Sequence, residues 1–256
     1  MSRPIREVLI TGATGDLGRK VVGAATAAGH HVRAMSRRSH VGYTGVHWAQ
    51  GDLLANTGVD AAVEGVDVVV HCATQGTRGK DVTSTENLIT AARKAGVSHI
   101  VYVSIVGIDR IPLPYYKTKL RVEQALEASG LGLTVQRATQ FHDLIKMTFA
   151  TQRFSPLLCT VRGVQFQPID THDVATRLVE LIDSEPAGRV ADIGGPAVHT
   201  HAELAHVYLA SRGGRRPVVE IPVPGRIAAA YRTGAHLTPD QPVGTIGFAE
   251  YLSEIK

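Results

Sequence analysis

Three glycines spaced GxxGxxG, placed directly after an apolar run, constrain the fold of this chain more than any other feature. The run Val8–Ile10 is typical of a buried strand, and Gly12, Gly15 and Gly18 follow it. Glycine allows a sharp turn, a close backbone approach and tight packing of a helix on a sheet. After the turn, apolar residues recur on one helical stripe: Leu17, Val21, Val22, Ala25 and Ala28. The pattern predicts a strand, a tight turn and a helix.

Such a turn is typical of a binding site for the diphosphate of a dinucleotide. The free N–H groups and the dipole at a helix start favour negative charge. An ordinary corner without a ligand is the alternative, and both flanking patterns argue against it. We expect the cofactor to contact the loop residues Gly12, Thr14, Gly15, Asp16, Leu17 and Gly18.

The chain of 256 residues, 44% hydrophobic and 20% charged, is long enough for one large α/β domain. No apolar run approaches the length of a membrane span. Because Met1–Arg6 leads straight into the first strand, we expect no signal peptide and a cytoplasmic protein. Two cysteines, Cys72 and Cys159, fit a reducing compartment.

The net charge of +4 comes from basic residues that are scattered, apart from short runs such as Arg212–Arg216. A basic cofactor cleft and a solvated surface explain this charge more simply than nucleic acid does. We therefore expect a small-molecule substrate, with neither nucleic acid nor membrane as a partner. Whether the chain forms a homodimer is left open.

Strands and helices alternate up to Gln140. Predicted strands are His31–Met35, Val46–Gln50, Val66–Cys72, His99–Ser104 and Leu133–Gln136, and predicted helices are Ser84–Ala95, ended by Gly96, and Tyr115–Ser129, closed by Gly130. This order predicts an α/β fold of the Rossmann type, a doubly wound parallel sheet with its ligand at the carboxyl ends of the strands.

Beyond Gln140 the alternation loosens. Helices are predicted at Phe141–Gln152, Asp173–Ile182 and Thr200–Arg212, the last with Glu203 in a capping box, and extended pieces at Val164–Pro168, Arg189–Ile193 and Val218–Ile221. We interpret the chain as a single NAD(P)-binding domain, with its nucleotide-binding part over about 1–140 and a smaller C-terminal substrate lobe over about 141–256.

The second strand indicates which dinucleotide is bound. An acidic residue at its end commonly holds the ribose hydroxyls of NAD, yet no acidic residue lies between Asp16 and Asp52. Ser36, Arg37 and Arg38 stand there instead, and guanidinium groups suit a 2′-phosphate. NADP(H) is therefore favoured over NAD(H), although both arginines being solvated loop residues is the alternative.

Two further strand ends are expected to contact the cofactor. Gly51, Asp52 and Leu53 fall where an adenine ring would rest, and Asp52 either accepts from the adenine amino group or caps a turn. Cys72, Ala73 and Thr74, with His71 before them, end the fourth strand near the nicotinamide half, where a structural role for the Cys72 thiol is favoured over a nucleophile.

These motifs resemble the short-chain dehydrogenase/reductase superfamily, in particular its atypical, NmrA-like branch. The resemblance covers nearly the whole chain and is carried by Thr11–Gly18, Gly51–Leu53, Val101–Ser104, Tyr115–Lys119, Gln136–Phe141, Asp170–Ala175 and Gly194–Pro196. It implies a Rossmann domain, bound NADP(H), and either reductase activity or cofactor sensing.

The resemblance also implies a proton donor. Tyr115 and Lys119 match the Tyr-x-x-x-Lys spacing of the superfamily, in which the lysine lowers the tyrosine pKa and holds the nicotinamide ribose. Ser104 is the candidate for the orienting serine, but Ile105 and Val106 occupy the places where that hydroxyl is normally found. The alternative is a packing tyrosine followed by a surface lysine.

Gln140, Phe141 and His142 follow the sixth strand and are expected to contact substrate, with His142 as an alternative acid and Phe149 and Phe154 as apolar walls. For each of these residues, packing in the core is the equal alternative. The histidines lack partners at metal-ligand spacing, so no metal is expected. The function predicted is an NADP(H)-dependent oxidoreductase that transfers hydride to a small carbonyl, quinone or enone. A non-catalytic redox sensor and an isomerase, epimerase or cyclase are the alternatives.

Overall fold

The computed structural model describes residues 4–38, 45–76 and 79–254. Met1–Arg3, the start of the segment on which the signal-peptide expectation rests, lie outside these ranges. The strands are β1 (Glu7–Thr11), β2 (His31–Ser36), β3 (Val46–Gln50), β4 (Val68–His71), β5 (His99–Ile105), β6 (Leu133–Ala138), β7 (Leu158–Val161), β8 (Gln165–Phe166), β9 (Gly188–Arg189), β10 (His199–Thr200) and β11 (Val218–Ile221). The helices are α1 (Asp16–Ala27), α2 (Val59–Val63), α3 (Lys80–Ala95), α4 (Pro114–Glu127), α5 (His142–Ala150), α6 (Thr171–Ile182), α7 (His201–Ser211), α8 (Arg226–Arg232) and α9 (Phe248–Glu254).

Seven strands form the main sheet in the order β3-β2-β1-β4-β5-β6-β9. The sheet is parallel, and β1 lies between β2 and β4 with Val8 opposite Val32 on one side and Val68 on the other. From β1 the chain adds β2 and then β3 on one side. It then returns to place β4 on the other side of β1, and β5, β6 and β9 follow outward from there. The carboxyl ends of β1 and β4 therefore meet at the point where the winding reverses, where sheets of this type bind ligands. The predicted Rossmann-type fold is confirmed.

The chain divides into two compact units. The first comprises Met1–Ser104, Pro114–Gln136 and Val174–Val190, and the second comprises Ile105–Leu113, Arg137–Asp173 and Ala191–Lys256. The predicted division near residue 140 thus differs from these units at two places, because 105–113 belongs to the second unit and 174–190 to the first. The core of the first unit is built from buried aliphatic side chains of β1, β4 and the flanking helices, among them Leu9, Val69, Leu88 and Leu126.

The second unit has its own apolar core, in which α5, α7 and α9 contribute Ile145, Phe149, Leu204 and Phe248. Two small sheets belong to it, β7 paired with β11 in parallel and β8 paired with β10 antiparallel. The capping box predicted for α7 is present: the Glu203 N–H donates to Thr200 Oγ1 over 3.1 Å, and the Thr200 N–H donates to Glu203 Oε2 over 2.7 Å.

Several predicted bounds differ from those of the structure. Helix α3 starts at Lys80 rather than Ser84, and the strand expected over Arg189–Ile193 is reduced to Gly188–Arg189. Helix α2 and strand β7 were not predicted. Ala28, expected on the buried stripe of α1, is exposed at the end of that helix. None of the helices in the described part of the chain is long and apolar enough to cross a membrane.

Candidate active site

The glycine turn after β1 is held by contacts that exclude side chains. Gly12 has a φ of +67°, and a Cβ there would lie 2.7 Å from the Ala73 backbone nitrogen. A Cβ on Gly18 would lie 2.8 Å from the carbonyl carbon of Gly12 and closer still to its oxygen. The Gly15 N–H donates to the Gly12 oxygen over 2.9 Å. Gly12 and Gly18 thus each let two backbone segments approach where any larger residue would collide.

Helix α1 begins directly after this turn, with Gly15 as its N-cap residue. No side chain caps this helix start among the residues that the structure describes. The dipole at this helix start therefore favours an anion. The turn and the helix start fit a dinucleotide diphosphate, as the glycine spacing predicts.

A cleft of about 260 Å³ opens beside the turn, within the first unit, at the carboxyl ends of β1, β2, β3 and β4. It is lined by Thr11, Gly12, Thr14, Gly15, Met35, Ser36, Arg37, Gly51, Leu53, Cys72, Ala73, Thr74 and Gln75. Gly51, expected beside the adenine ring, lines the cleft, whereas sequence reasoning did not single out Thr11, Met35 or Gln75 as cofactor residues. Each lies at or just beyond the end of a parallel strand, and that position was the available signal.

Some predicted cofactor residues lie outside the cleft lining. Leu17 and Gly18 are buried, and they support the turn rather than face the cleft. The Asp16 carboxylate lies 3.7 Å from the Arg19 guanidinium on the surface of α1. At the end of β2, Arg37 lines the cleft, while the Arg38 N–H donates to Ser36 Oγ over 3.2 Å.

Asp52 follows the turn-capping alternative. Its Oδ1 accepts from the Leu54 N–H at 2.8 Å and from the Ala55 N–H at 3.1 Å. Its backbone also forms a bridge with Thr57. The carboxylate is thus engaged in holding the loop after β3, and Asp52 is absent from the cleft lining.

Asp52→Ala is therefore expected to lower the free energy of unfolding by about 1–2 kcal/mol while leaving the affinity for a nicotinamide dinucleotide within about twofold. Asp52→Asn keeps a carbonyl oxygen as an acceptor and should retain most of the stability. Chemical denaturation and calorimetric titration measure the two quantities. A large loss of affinity at unchanged stability would instead assign Asp52 to the cofactor.

Beneath the cleft, a directed chain of hydrogen bonds joins β1, β4 and α3. Thr11 Oγ1 lies 2.7 Å from His71 Nδ1, and His71 Nε2 lies 3.2 Å from Thr85 Oγ1. The Thr85 hydroxyl donates to the Asp81 carbonyl oxygen over 2.7 Å, so His71 Nε2 must donate and Nδ1 must accept. Burial, with the Lys119 charge adding to it, lowers the pKa of His71 to about 3. His71 is thus a neutral, buried support and not a lining residue.

Cys72 lines the cleft as expected. Burial raises the pKa of its thiol to about 12. The thiolate that a nucleophile requires is therefore disfavoured, in agreement with a structural thiol.

Lys119 is directed into the sheet. It is 6% exposed, its Nζ donates to the Val103 oxygen over 3.2 Å, and Nζ lies 4.4 Å from the centre of the Tyr102 ring. The Tyr102 ring in turn stacks on His71 at 5.5 Å. Burial lowers the pKa of Lys119 to about 8. Lys119 is thus not the solvated surface lysine of the alternative interpretation.

Tyr115 points to the loop after β4, with its hydroxyl 3.4 Å from Thr74 Oγ1. The pKa of Tyr115 is raised by burial, so the lowering expected from Lys119 is wrong for this arrangement. Ser104 is 2% exposed, and its Oγ has no hydrogen-bond partner among the described residues. The structure thus brings Tyr115 to Thr74 and buries the candidate serine.

The predicted substrate residues Gln140, Phe141 and His142 belong to the second unit. His142 is 1% exposed, and its Nε2 donates to the Ile246 oxygen over 2.9 Å, which places the ring in the interior of that unit. Gln140 is buried and donates to the His236 oxygen over 3.3 Å. Phe141 is the N-cap residue of α5.

The two apolar walls expected from sequence differ in their surroundings. Phe149 is fully buried in the core of the second unit, whereas Phe154 is 85% exposed. Within the described ranges, no group of three or more His, Cys, Asp or Glu residues could hold a metal ion.

Comparison with known proteins gives a consistent result. A sequence model described as NAD(P)H-binding matches residues 12–185. A Streptomyces griseus (4-alkanoyl-5-oxo-2,5-dihydrofuran-3-yl)methyl phosphate reductase is 30% identical over 203 residues, which cover 77% of this chain and 70% of that protein. A photosystem II assembly factor, Ycf39 of Trieres chinensis, is 25% identical over 232 residues, covering 84% of this chain and 72% of that one.

Among solved structures, an NADPH-dependent quinone oxidoreductase of Escherichia coli in complex with NADPH superposes with a TM-score of 0.84. The alignment covers 97% of this chain and 99% of the other, at 19% sequence identity. At that identity the likeness establishes the shared fold.

Proposed function

Because the chain belongs to the NAD(P)H-binding family whose sequence model matches residues 12–185, we propose that it is an NADPH-dependent oxidoreductase acting on a small carbonyl, quinone or enone. The matched region includes the glycine turn, the cleft and helix α4, on which Tyr115 and Lys119 lie. The reductase and the quinone oxidoreductase to which the chain is similar support this proposal.

One observation carries the proposal. Thr74 lines the same cleft as the glycine turn, and its hydroxyl lies 3.4 Å from the Tyr115 hydroxyl. A group that can donate a proton therefore stands beside a binding site for a reduced dinucleotide. Reduction of a carbonyl requires a hydride at carbon and a proton at oxygen, and these two features are suited to supply them.

The bound dinucleotide would supply the hydride from its reduced nicotinamide. The chain would hold it with the glycine turn and the start of α1, while Arg37 stands at the end of β2 for a 2′-phosphate. Tyr115 would give its phenolic proton to the carbonyl oxygen, and its raised pKa keeps that proton in place at neutral pH. Lys119 would supply positive charge beside β5 from a buried position.

The preference for NADPH rests on the arginines after β2. Arg37 lines the cleft, and no acidic residue lies between Asp16 and Asp52 to accept from ribose hydroxyls. Replacing Arg37 and Arg38 with alanine is expected to weaken NADPH binding by about tenfold or more, because charge-assisted hydrogen bonds to phosphate are lost. NADH binding should change by less than about twofold, since NADH carries no 2′-phosphate.

Calorimetric titration of both nucleotides measures this difference. Arg121→Ala, on the exposed surface of α4, is the matched control and should leave both affinities unchanged. Equal losses for NADPH and NADH in the double variant would contradict the proposed role of the arginines.

Turnover tests the proposed activity itself. The protein is incubated with NADPH and a panel of ketones, enones and quinones, and the absorbance of the reduced nicotinamide is followed. We expect consumption of NADPH that depends on the acceptor and saturates with it. NADPH binding without consumption by any acceptor class would contradict the reductase proposal.

The burial of Ser104 favours a second candidate, a non-catalytic NADP(H) sensor that acts through a protein partner. Similarity to a protein named as an assembly factor supports the same candidate. A sensor must bind the oxidised and reduced cofactor with different affinity, because equal affinity shifts no equilibrium. Equal dissociation constants for NADP⁺ and NADPH would exclude it.

A further inference from the structure

Asp81 is a buried carboxylate at the start of α3, next to the cleft. Its Oδ2 accepts from the Thr74 hydroxyl over 2.7 Å, and its Oδ1 accepts from the Gln75 N–H over 2.5 Å. Both donors belong to the loop that follows β4. One carboxylate thus holds the loop that carries Thr74 toward Tyr115.

These contacts determine the direction of the hydrogen bond between Thr74 and Tyr115. An ionised carboxylate only accepts, so the single hydroxyl proton of Thr74 points to Asp81. Thr74 Oγ1 therefore presents lone pairs on its other side, where the Gly76 N–H donates to it over 3.3 Å. The Tyr115 hydroxyl, 3.4 Å away, must then be the donor to Thr74. The bond is long, so the phenol is oriented without being tightly held.

We propose that Asp81 and Thr74 are positioning residues for Tyr115, which orient its hydroxyl as a donor toward Thr74 at the edge of the cleft that Thr74 lines. The purpose of this positioning rests on the proposed reductase function, whereas the hydrogen bonds that join Asp81, Thr74 and Tyr115 do not depend on that function. The proposal also assigns the orientation of the tyrosine to the loop after β4, because Ser104, a buried residue of β5, makes no hydrogen bond to Tyr115. Neither Asp81 nor Thr74 need touch the substrate carbon.

The proposal makes an unusual prediction for Asp81→Asn. The Gln75 N–H would select the amide oxygen of the asparagine, so the amide NH₂ would face Thr74 and donate to it. The Thr74 hydroxyl would then turn its own proton toward the Tyr115 oxygen and stabilise the phenolate. Loss of the nearby negative charge acts in the same direction. The pKa of Tyr115 should fall by about one pH unit.

The test follows the Tyr115 ring by NMR in protein with isotope-labelled tyrosine, and Tyr115→Phe identifies the resonance. We expect the pKa of Tyr115 to be lower in Asp81→Asn and unchanged in Thr74→Ser. In the Thr74→Val background, Asp81→Asn should lower the Tyr115 pKa by less, because the hydroxyl that would reverse its direction is missing. An unchanged or raised Tyr115 pKa in Asp81→Asn would overturn the proposal. If Asp81→Asn fails to fold, the comparison of Thr74→Val with Thr74→Ser tests the proposal. Thr74→Val removes the acceptor hydroxyl and should change the Tyr115 pKa, whereas Thr74→Ser keeps the hydroxyl and should not.

Turnover supplies a second readout. In Asp81→Asn, the alkaline limb of the kcat profile should move to lower pH by about the same one unit, with the dissociation constant of NADPH within about twofold. A merely structural role would lower kcat at every pH without moving the limb. If the wild-type protein reduces no acceptor, the proposed function fails, and the NMR titration still decides the inference.

Discussion

Gly18→Ala is expected to lower the free energy of unfolding by about 3 kcal/mol or more and to reduce NADPH affinity by at least about tenfold. The new Cβ would lie 2.8 Å from the Gly12 carbonyl carbon; the Cβ is fixed to its Cα, and the carbonyl belongs to the backbone, so neither can rotate away. Relief of the collision requires α1 to move off the turn. That movement displaces the N–H groups that would bind the diphosphate.

The same helix provides a matched control. Gly23 lies in α1, and a Cβ added there would meet no atom within 4 Å. Gly23→Ala should therefore leave NADPH binding unchanged and raise stability by up to about 1 kcal/mol, since alanine is the better helix former. Urea denaturation and cofactor titration of both variants measure the contrast. Similar effects at the two positions would show that helix composition, and not the contact with Gly12, determines them.

Tyr115→Phe is expected to lower kcat by about a hundredfold or more, because it removes the proton donor and leaves the ring in place. NADPH affinity should stay within about twofold, since the variant changes neither the glycine turn nor the cleft-lining side chain of Arg37. Tyr116→Phe is the matched control, because Tyr116 is a neighbouring but buried tyrosine of the same helix. It should keep kcat within about threefold.

Steady-state turnover with one ketone, one enone and one quinone separates these outcomes. A loss confined to Tyr115→Phe identifies the Tyr115 hydroxyl as the donor. Equal rates for wild type and Tyr115→Phe with every acceptor would place the proton donor elsewhere.

The parts of the fold that were predicted correctly depend on local patterns. The strand before Gly12, the α1 stripe and the capping box of α7 each follow from residues a few positions apart. Helix α2, with five residues, is too short to show a helical period. Strand β7 pairs with β11, and Leu158 lies opposite Val218, so that pairing depends on residues far apart in the chain.

The cofactor cleft was predictable because parallel strands end at one edge of a sheet, so the alternation of strands and helices is enough to bring Ser36, Leu53 and Ala73 together. The directions of the Tyr115 and Lys119 side chains were not predictable in this way. Four residues apart on a helix, they were expected to act as a pair, but Lys119 reaches Val103 and Tyr115 reaches Thr74. Their neighbours lie in β5 and in the loop after β4, far from α4 in the sequence, so the helical spacing alone does not predict them.

Direct observation of hydride transfer tests the central claim most directly. The protein is given a ketone or an enone together with NADPH that carries deuterium at the nicotinamide C4. Each face of C4 is labelled in a separate experiment, and the mass of the product is measured by mass spectrometry. The account predicts that, with one of the two labelled faces, the reduced product carries one deuterium on carbon. A product of the same mass as the substrate, or one without deuterium from either face, would contradict it.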